Sequence, residues 1–168
     1  MHTLVSSVLK SLAIAVALSA APSMASAKSD ISPADMAALK GYTLDAGKVN
    51  KYIAATDALA KAKKADKSIG AEMEASENEP DKTFADLKAK LTRHPKIFGY
   101  YQKQGLTADD TVLLPLAMMY GAIGAQYNTP EINAMVNPAQ TAFMKAHPEL
   151  GQKLTDATKQ LDDDQDDR

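Results

Sequence analysis

The 168-residue chain contains no cysteine. This absence excludes disulfide bonds, zinc fingers, iron–sulfur clusters, covalently attached c-type haem and thiol nucleophiles. A zinc site closed by protein ligands would then need carboxylates together with histidine. Because no covalent cross-link is available, the stability of the fold must come from the packing of side chains.

The chain also lacks the local signatures of common catalytic sites. It contains no G-x-S-x-G nucleophile turn, no H-E-x-x-H zinc motif and no phosphate-binding loop. No basic cluster or aromatic platform indicates binding to nucleic acid, and 19 Lys and Arg nearly balance 21 Asp and Glu. The sequence therefore predicts a protein that is not an enzyme. A hydrolase with a Ser–His–acid triad stays an alternative, because such a triad need not leave a contiguous motif, but it is the least favoured one since the G-x-S-x-G turn is missing.

The first 27 residues have the pattern of an export signal. Lys10 precedes an apolar segment over residues 12–21, and Ala25-Ser26-Ala27 matches the small-x-small cleavage site. We expect cleavage after Ala27, so that the mature chain begins at Lys28 and lies in the periplasm or outside the cell. No cysteine follows the cleavage site, which excludes lipoprotein attachment.

The rest of the chain has the periodicity of an all-α domain. No run of alternating β-branched residues indicates a strand, whereas apolar residues recur at spacings of three and four. This pattern predicts one domain over residues 28–161, a compact irregular or orthogonal bundle of about six or seven helices. Thr43 is the expected cap of a helix that begins at Leu44, and Thr83 begins a capping box for a later helix.

Residues 66–82 are expected to form an exposed loop, with a weak helix over residues 69–74 as the alternative. Residues 162–168 contain five aspartates and are expected to form an acidic, disordered tail.

The most apolar segment after the signal predicts a central helix over residues 107–127. Its residues 112–125 carry no charge, and a helix that is apolar all round must be covered on all sides. Thr107 and Asp110 have the spacing of a capping box, and Pro115 is expected to kink the helix. The uncharged stretch rises only about 21 Å, too little for a bilayer core, so it predicts a buried helix and no membrane span.

One face of this central helix consists of small residues. Ala117, Gly121 and Ala125 are spaced by four, so they share a face of the helix. Small side chains allow a neighbouring backbone to come close. The spacing therefore predicts that another helix packs tightly against Gly121.

Two segments carry a resemblance to a known group of proteins. Residues 91–125 read LTRHPKIFGYYQKQGLTADDTVLLPLAMMYGAIGA, and residues 137–150 read NPAQTAFMKAHPEL. Their shared features are a helix, a Gly-Leu-Thr step, a capped apolar helix, then Asn-Pro and an inward Phe. In these features the chain resembles small exported all-helical proteins of Gram-negative bacteria, a group without an assigned activity. The resemblance implies an all-helical fold and an exported protein, and it implies no catalytic residue.

His94 and His147 are the only histidines after the signal, and each precedes a proline. Because this position is typical of a helix boundary, we expect both to cap helices or to lie in loops. The methionines are scattered along the chain and are expected to fill the core. A periplasmic bundle that binds haem or copper through histidine and methionine stays an alternative. The residues predict no metal site and no cofactor.

Tyr100, Pro115 and Tyr127 are the predicted border of a ligand pocket. Tyr101 follows Ile97 by four residues and should be buried, which leaves the adjacent Tyr100 nearer the surface. Tyrosine combines an apolar body with a polar tip, and a kink at Pro115 would open space between helices. The alternative is that these tyrosines only close the core. The sequence thus predicts an exported, non-enzymatic binding protein whose partner is an apolar small molecule or another protein.

Overall fold

The computed structural model describes residues 31–127 and 129–162. Within these residues the fold is all-α, as predicted, with nine helices and no strand. The count exceeds the predicted six or seven in part because residues 67–77, expected to form a loop, are a helix. The expected signal peptide and residues 163–168 of the expected tail lie outside the described residues. The helices are α1 (Pro33–Gly41), α2 (Ala46–Ala65), α3 (Lys67–Glu77), α4 (Phe84–Arg93), α5 (Pro95–Lys103), α6 (Ala108–Gln126), α7 (Pro130–Met135), α8 (Pro138–Ala146) and α9 (Pro148–Asp162).

Side-chain caps begin several helices where the sequence predicts them. Thr83 and Thr107 each accept a hydrogen bond from the backbone N–H three residues on, within complete capping boxes. Helix α2 differs, because Asp45 rather than the predicted Thr43 is its N-cap and the helix begins two residues later than predicted. Aspartate ranks above threonine as an N-cap, which explains the later start.

The exposed loop predicted over residues 66–82 is wrong for most of its length, because residues 67–77 form α3. Asp66 ends α2, and its carboxylate accepts from the backbone N–H of Ser68 to begin α3, so no linker separates the two helices. Ile69 and Ser76 are both buried on this helix. A serine at a buried position interrupts the apolar pattern, which is why periodicity alone indicates no more than a weak helix over residues 69–74.

Helix α6 is the centre of the fold, as predicted. Residues 110–118 are all buried, and the helix contacts α1, α2, α4, α7 and α8. Pro115 lies inside the uninterrupted helix. Among the described residues, no helix combines the length and the apolar character that crossing a bilayer requires.

Helices α6 and α8 approach each other at Gly121, which confirms the predicted tight packing. A Cβ atom on this glycine would lie 2.7 Å from the carbonyl oxygen of Gln140, so no larger residue fits without a shift of α8. The Gln140 amide in turn donates to the carbonyl oxygens of Leu39 and Tyr42, both at 2.8 Å. These hydrogen bonds tie α8 to the end of α1.

Asp110 ties the start of α6 to the first two helices. Its carboxylate accepts hydrogen bonds from Tyr42 Oη at 2.8 Å, from Lys48 Nζ at 2.7 Å and from the backbone N–H of Thr107 at 3.0 Å. Burial alone would raise the pKa of Asp110. The hydrogen bonds from Lys48, Thr107 and Tyr42 outweigh burial and hold this pKa well below its usual range. The ionised carboxylate is thus an anchor between helices.

Candidate functional site

A cavity of about 80 Å³ lies among α2, α3, α4, α5, α6 and α9. Apolar side chains form most of its wall: Leu87, Leu91, Ile97, Val112, Pro115 and Leu161. Leu87, Leu91 and Glu77 are half-buried, whereas the other lining residues are buried. The mouth of the cavity therefore lies between α3 and α4, and its floor lies deep among α2, α5 and α6.

Of the three residues predicted to border a pocket, Pro115 lines this cavity, whereas Tyr100 and Tyr127 do not. Tyr100 is half-buried, with the Lys103 ammonium 5.1 Å from the centre of its ring. Tyr127 follows the last turn of α6 and is 47 % exposed. Tyr101, which the sequence predicts to be buried, is 2 % exposed and lines the cavity. The three predicted residues are therefore not brought together at this cavity.

Three buried hydroxyl groups form a cluster in the wall: Tyr52 and Thr56 on α2, and Tyr101 on α5. Thr56 Oγ1 donates to the carbonyl oxygen of Tyr52 at 3.0 Å and lies 3.3 Å from Tyr101 Oη. The rings of Tyr52 and Tyr101 are tilted, with centroids 5.0 Å apart. Burial is the main cause that raises the pKa of both tyrosines, so both are neutral phenols at physiological pH.

A buried ion pair between Asp81 and Lys90 occupies another part of the wall. Lys90 Nζ lies 2.6 Å from Asp81 Oδ2, and the two side chains are only 6 % and 2 % exposed. The ammonium also donates to the backbone carbonyl oxygen of Glu79 at 3.3 Å. Charges taken out of water need partners to offset the loss of hydration. The two residues supply each other's counter-charge, so the pair adds no net charge to the cavity.

His94 lies between α4 and α5, and its position at a helix boundary confirms the prediction. His94 is the cap residue of both helices by position, although its ring makes no capping hydrogen bond. The ring is buried and lines the cavity, where Nε2 lies 2.8 Å from Glu79 Oε1 and Nδ1 lies 4.0 Å from Glu72 Oε1. Arg93 binds the other oxygen of Glu79, and the hydrogen bonds from Arg93 and His94 lower the pKa of Glu79.

His147 lies between α8 and α9 and has different neighbours. Its ring centroid is 4.7 Å from that of Phe143, and its Nδ1 is 3.5 Å from Glu149 Oε1. Within residues 31–127 and 129–162, no group of three or more His, Asp or Glu side chains is arranged to hold a metal ion. The buried methionines Met118 and Met144 pack within the hydrophobic core.

Two lining residues, Asp81 and Lys90, carry charges that sequence reasoning missed. Lys90 lies three residues after Leu87 and directly before Leu91, so it falls on the inward side of α4. That position was the available signal in the sequence. Asp81 precedes the helix and lies outside any periodic pattern, so nothing local marks it as buried.

Comparisons with protein-family models, with curated proteins and with solved structures find no match for this chain. The resemblance to exported proteins of Gram-negative bacteria therefore stays a prediction. The functional argument rests on the residues around the cavity.

Proposed function

We propose that this chain is a non-enzymatic binding protein that holds an apolar segment of a small molecule in the cavity. The cavity itself carries the proposal, because packed interiors leave few voids larger than a water molecule. An empty void of about 80 Å³ lowers the stability of a fold by about 2 kcal/mol. A ligand that fills the void would restore this stability. The volume is about half of the roughly 150 Å³ of a cavity that holds benzene, so it accommodates a short alkyl segment while the rest of the ligand extends toward the mouth.

The exposed surface supports a small molecule over a protein partner. Among the described residues, Tyr127 is the one large apolar side chain that is exposed. Binding surfaces for proteins are contiguous apolar patches, and single exposed apolar residues are normal on any monomer. The described surface thus offers less for a protein partner than the interior offers for a small molecule.

The geometry around His94 weighs against the alternative of a hydrolase. Ser76 and His94 both line the cavity, and Glu79 binds the His94 ring. A serine, a histidine and an acid are the residue types of a Ser–His–acid triad. In such a triad one ring nitrogen faces the acid and the other faces the serine. Here Nε2 faces Glu79 and Nδ1 is nearest to Glu72. Because both nitrogens are turned to carboxylates, the arrangement supports binding rather than acyl transfer.

We also propose that the protein acts in the periplasm or outside the cell after residues 1–27 are removed. Ala25-Ser26-Ala27 provides the cleavage site, so intact-mass analysis of protein isolated from the periplasm should give a chain that begins at Lys28. A species that keeps residues 1–27 would instead identify this segment as an anchor.

The same substitution at two buried valines provides a test of the cavity. Val112 lines the cavity, whereas Val49 is fully buried and does not line it. In Val112→Phe the ring enters the void, so we expect little change in the melting temperature and loss of binding to alkyl probes such as 1-hexanol. In Val49→Phe the ring has no void to enter, and overpacking should destabilise the fold by about 1–3 kcal/mol. Circular dichroism melts and calorimetric titration with 1-hexanol measure both quantities.

Two results would contradict the proposal. An equal fall in melting temperature for both variants would mean that no usable void exists beside Val112. Unchanged 1-hexanol binding by folded Val112→Phe would place the ligand away from this cavity.

A further inference from the structure

Two hydroxyl groups in the cavity wall, those of Tyr52 and Ser76, make no hydrogen bond to any residue that the structure describes. Thr141 Oγ1 is the one fully enclosed side-chain oxygen without a partner in the described ranges, so the Tyr52 and Ser76 oxygens keep surface that another atom can reach. Both residues are more than nine-tenths buried and line the cavity, so this surface faces the cavity. A buried hydroxyl without a partner is costly, and the protein supplies none here.

The neighbours of Tyr52 use their own hydroxyl protons within the protein. Thr56 Oγ1 donates to the backbone carbonyl oxygen of Tyr52, which can only accept. Because Thr56 has a single hydroxyl proton, Tyr101 must be the donor in its 3.3 Å contact with Thr56 Oγ1. Of the three hydroxyls in this cluster, Tyr52 therefore has the proton that is available to a ligand.

Ser76 depends less on a ligand than Tyr52 does. On a helix, a serine can turn its hydroxyl toward the backbone carbonyl oxygen four residues earlier, as Thr56 and Thr158 do in this fold. The Tyr52 oxygen lies at the end of a rigid ring and cannot reach the backbone of its own turn. Tyr52 is thus the hydroxyl in the wall with no local acceptor.

We propose that the cavity selects uncharged ligands with an oxygen that accepts a hydrogen bond from the Tyr52 hydroxyl, such as a ketone, an ester or an alcohol. The inference rests on the proposed function and adds the chemical class of the ligand's polar group. A hydrocarbon of the same shape would fill the void but would leave the buried phenol without a partner.

The charged side chains in the wall do not favour an ionised ligand. Lys90 Nζ lies 2.6 Å from Asp81, and the His94 ring lies 2.8 Å from Glu79. Among the described lining residues, both side chains that can carry a positive charge are thus already matched with acids. A carboxylate ligand would lose its hydration without gaining a counter-ion, a cost that an uncharged acceptor avoids.

A ketone and the alkene of the same shape isolate the acceptor. 2-Pentanone and 2-methyl-1-pentene differ only in the replacement of C=O by C=CH2, and the ketone has no proton to donate. In Tyr52→Phe, we expect calorimetric titration of the purified full chain to show 2-pentanone binding that is about five- to tenfold weaker than in wild type. Binding of the alkene should be unchanged or tighter, because the variant no longer buries an unpartnered hydroxyl.

Tyr101→Phe is the matched variant. It removes a hydroxyl whose proton already goes to Thr56, so the affinity for 2-pentanone should stay close to that of wild type. Circular dichroism and melting temperature establish that both variants are folded. Infrared spectroscopy gives a second measurement on the wild-type chain itself. The carbonyl stretch of bound 2-pentanone should lie below its frequency in hexane, because a hydrogen bond weakens the C=O bond.

The outcomes separate this inference from the proposed function. If 1-hexanol, 2-pentanone and 2-methyl-1-pentene all fail to bind the wild-type chain, the proposed function fails and the inference falls with it. If they bind but 2-pentanone binds folded Tyr52→Phe as tightly as wild type, or its bound carbonyl stretch equals that in hexane, the inference alone is wrong. Equal losses in Tyr52→Phe and Tyr101→Phe would also overturn it. Pentanoate that binds more tightly than 2-pentanone, and loses this advantage in Lys90→Met, would place the head group at Lys90 instead.

Discussion

Replacing Lys90 with methionine is expected to lower the free energy of unfolding by about 3–5 kcal/mol. The substitution keeps most of the side-chain volume but removes the ammonium that lies 2.6 Å from Asp81. The aspartate, 2 % exposed, would then be a buried charge without its partner, and the carbonyl oxygen of Glu79 would lose a donor. Denaturant unfolding followed by circular dichroism measures the change.

Lys88 on the same helix provides the matched control. Its ion pair with Asp109 is also short, at 2.8 Å, but the two side chains are 38 % and 61 % exposed. Exposed pairs contribute about 0–1 kcal/mol, so Lys88→Met should have little effect. Adding Asp81→Leu to Lys90→Met should recover much of the lost stability, because it removes the unpaired charge. Similar losses for Lys88→Met and Lys90→Met would show that the Asp81–Lys90 pair is effectively hydrated.

Features set by a few neighbouring residues could be predicted from the sequence. The capping boxes at Thr83 and Thr107 depend on residues three apart, and the proline-initiated helices depend on a single dipeptide. The central position of α6 follows from its uninterrupted apolar composition, since every face had to be covered. These inferences do not require knowing which helices pack against each other.

The cavity could be predicted only in part, because its wall comes from several helices. Pro115 was identified because a proline within a helix disturbs packing wherever it lies. Tyr101 was correctly predicted to be buried, but its contact with Thr56 on α2 depends on how α2 crosses α5. Tyr100 is predicted at the rim because its neighbour Tyr101 is buried, and Tyr127 because it ends the central helix. Neither argument determines the direction that the side chain takes.

The charged part of the cavity wall, the Asp81–Lys90 pair, is even harder to predict from the sequence. Asp81 is buried although it follows the polar segment over residues 76–80 and precedes a helix. Its burial depends on Lys90, nine residues on, whose ammonium reaches it from α4. Neither residue would be buried without the other, so no property of one position alone predicts the pair.

Gly121→Leu is expected to be among the most damaging single substitutions in the fold. Even the Cβ atom would lie 2.7 Å and 2.9 Å from the carbonyl oxygen and carbon of Gln140, and these are backbone atoms of α8. The neighbour cannot move away as a flexible side chain would, so α8 must shift and strain the amide hydrogen bonds of Gln140 to the end of α1. We expect a loss of about 3 kcal/mol or more for leucine and about 1–3 kcal/mol for alanine.

Two controls separate close approach from the general effects of substitution in helices. Met118→Leu is a buried, volume-conserving change on the same helix and should cost less than about 1.5 kcal/mol. Gly99→Ala on α5 adds a Cβ that meets no atom within 4 Å, so higher helix propensity should stabilise the fold by up to about 1 kcal/mol. Chemical denaturation of the four variants measures these differences.

If Gly121→Ala and Gly99→Ala both stabilise the protein, the α6–α8 contact is looser than the 2.7 Å approach requires. If Gly121→Leu and Met118→Leu melt at the same temperature, the glycine is not needed for that contact.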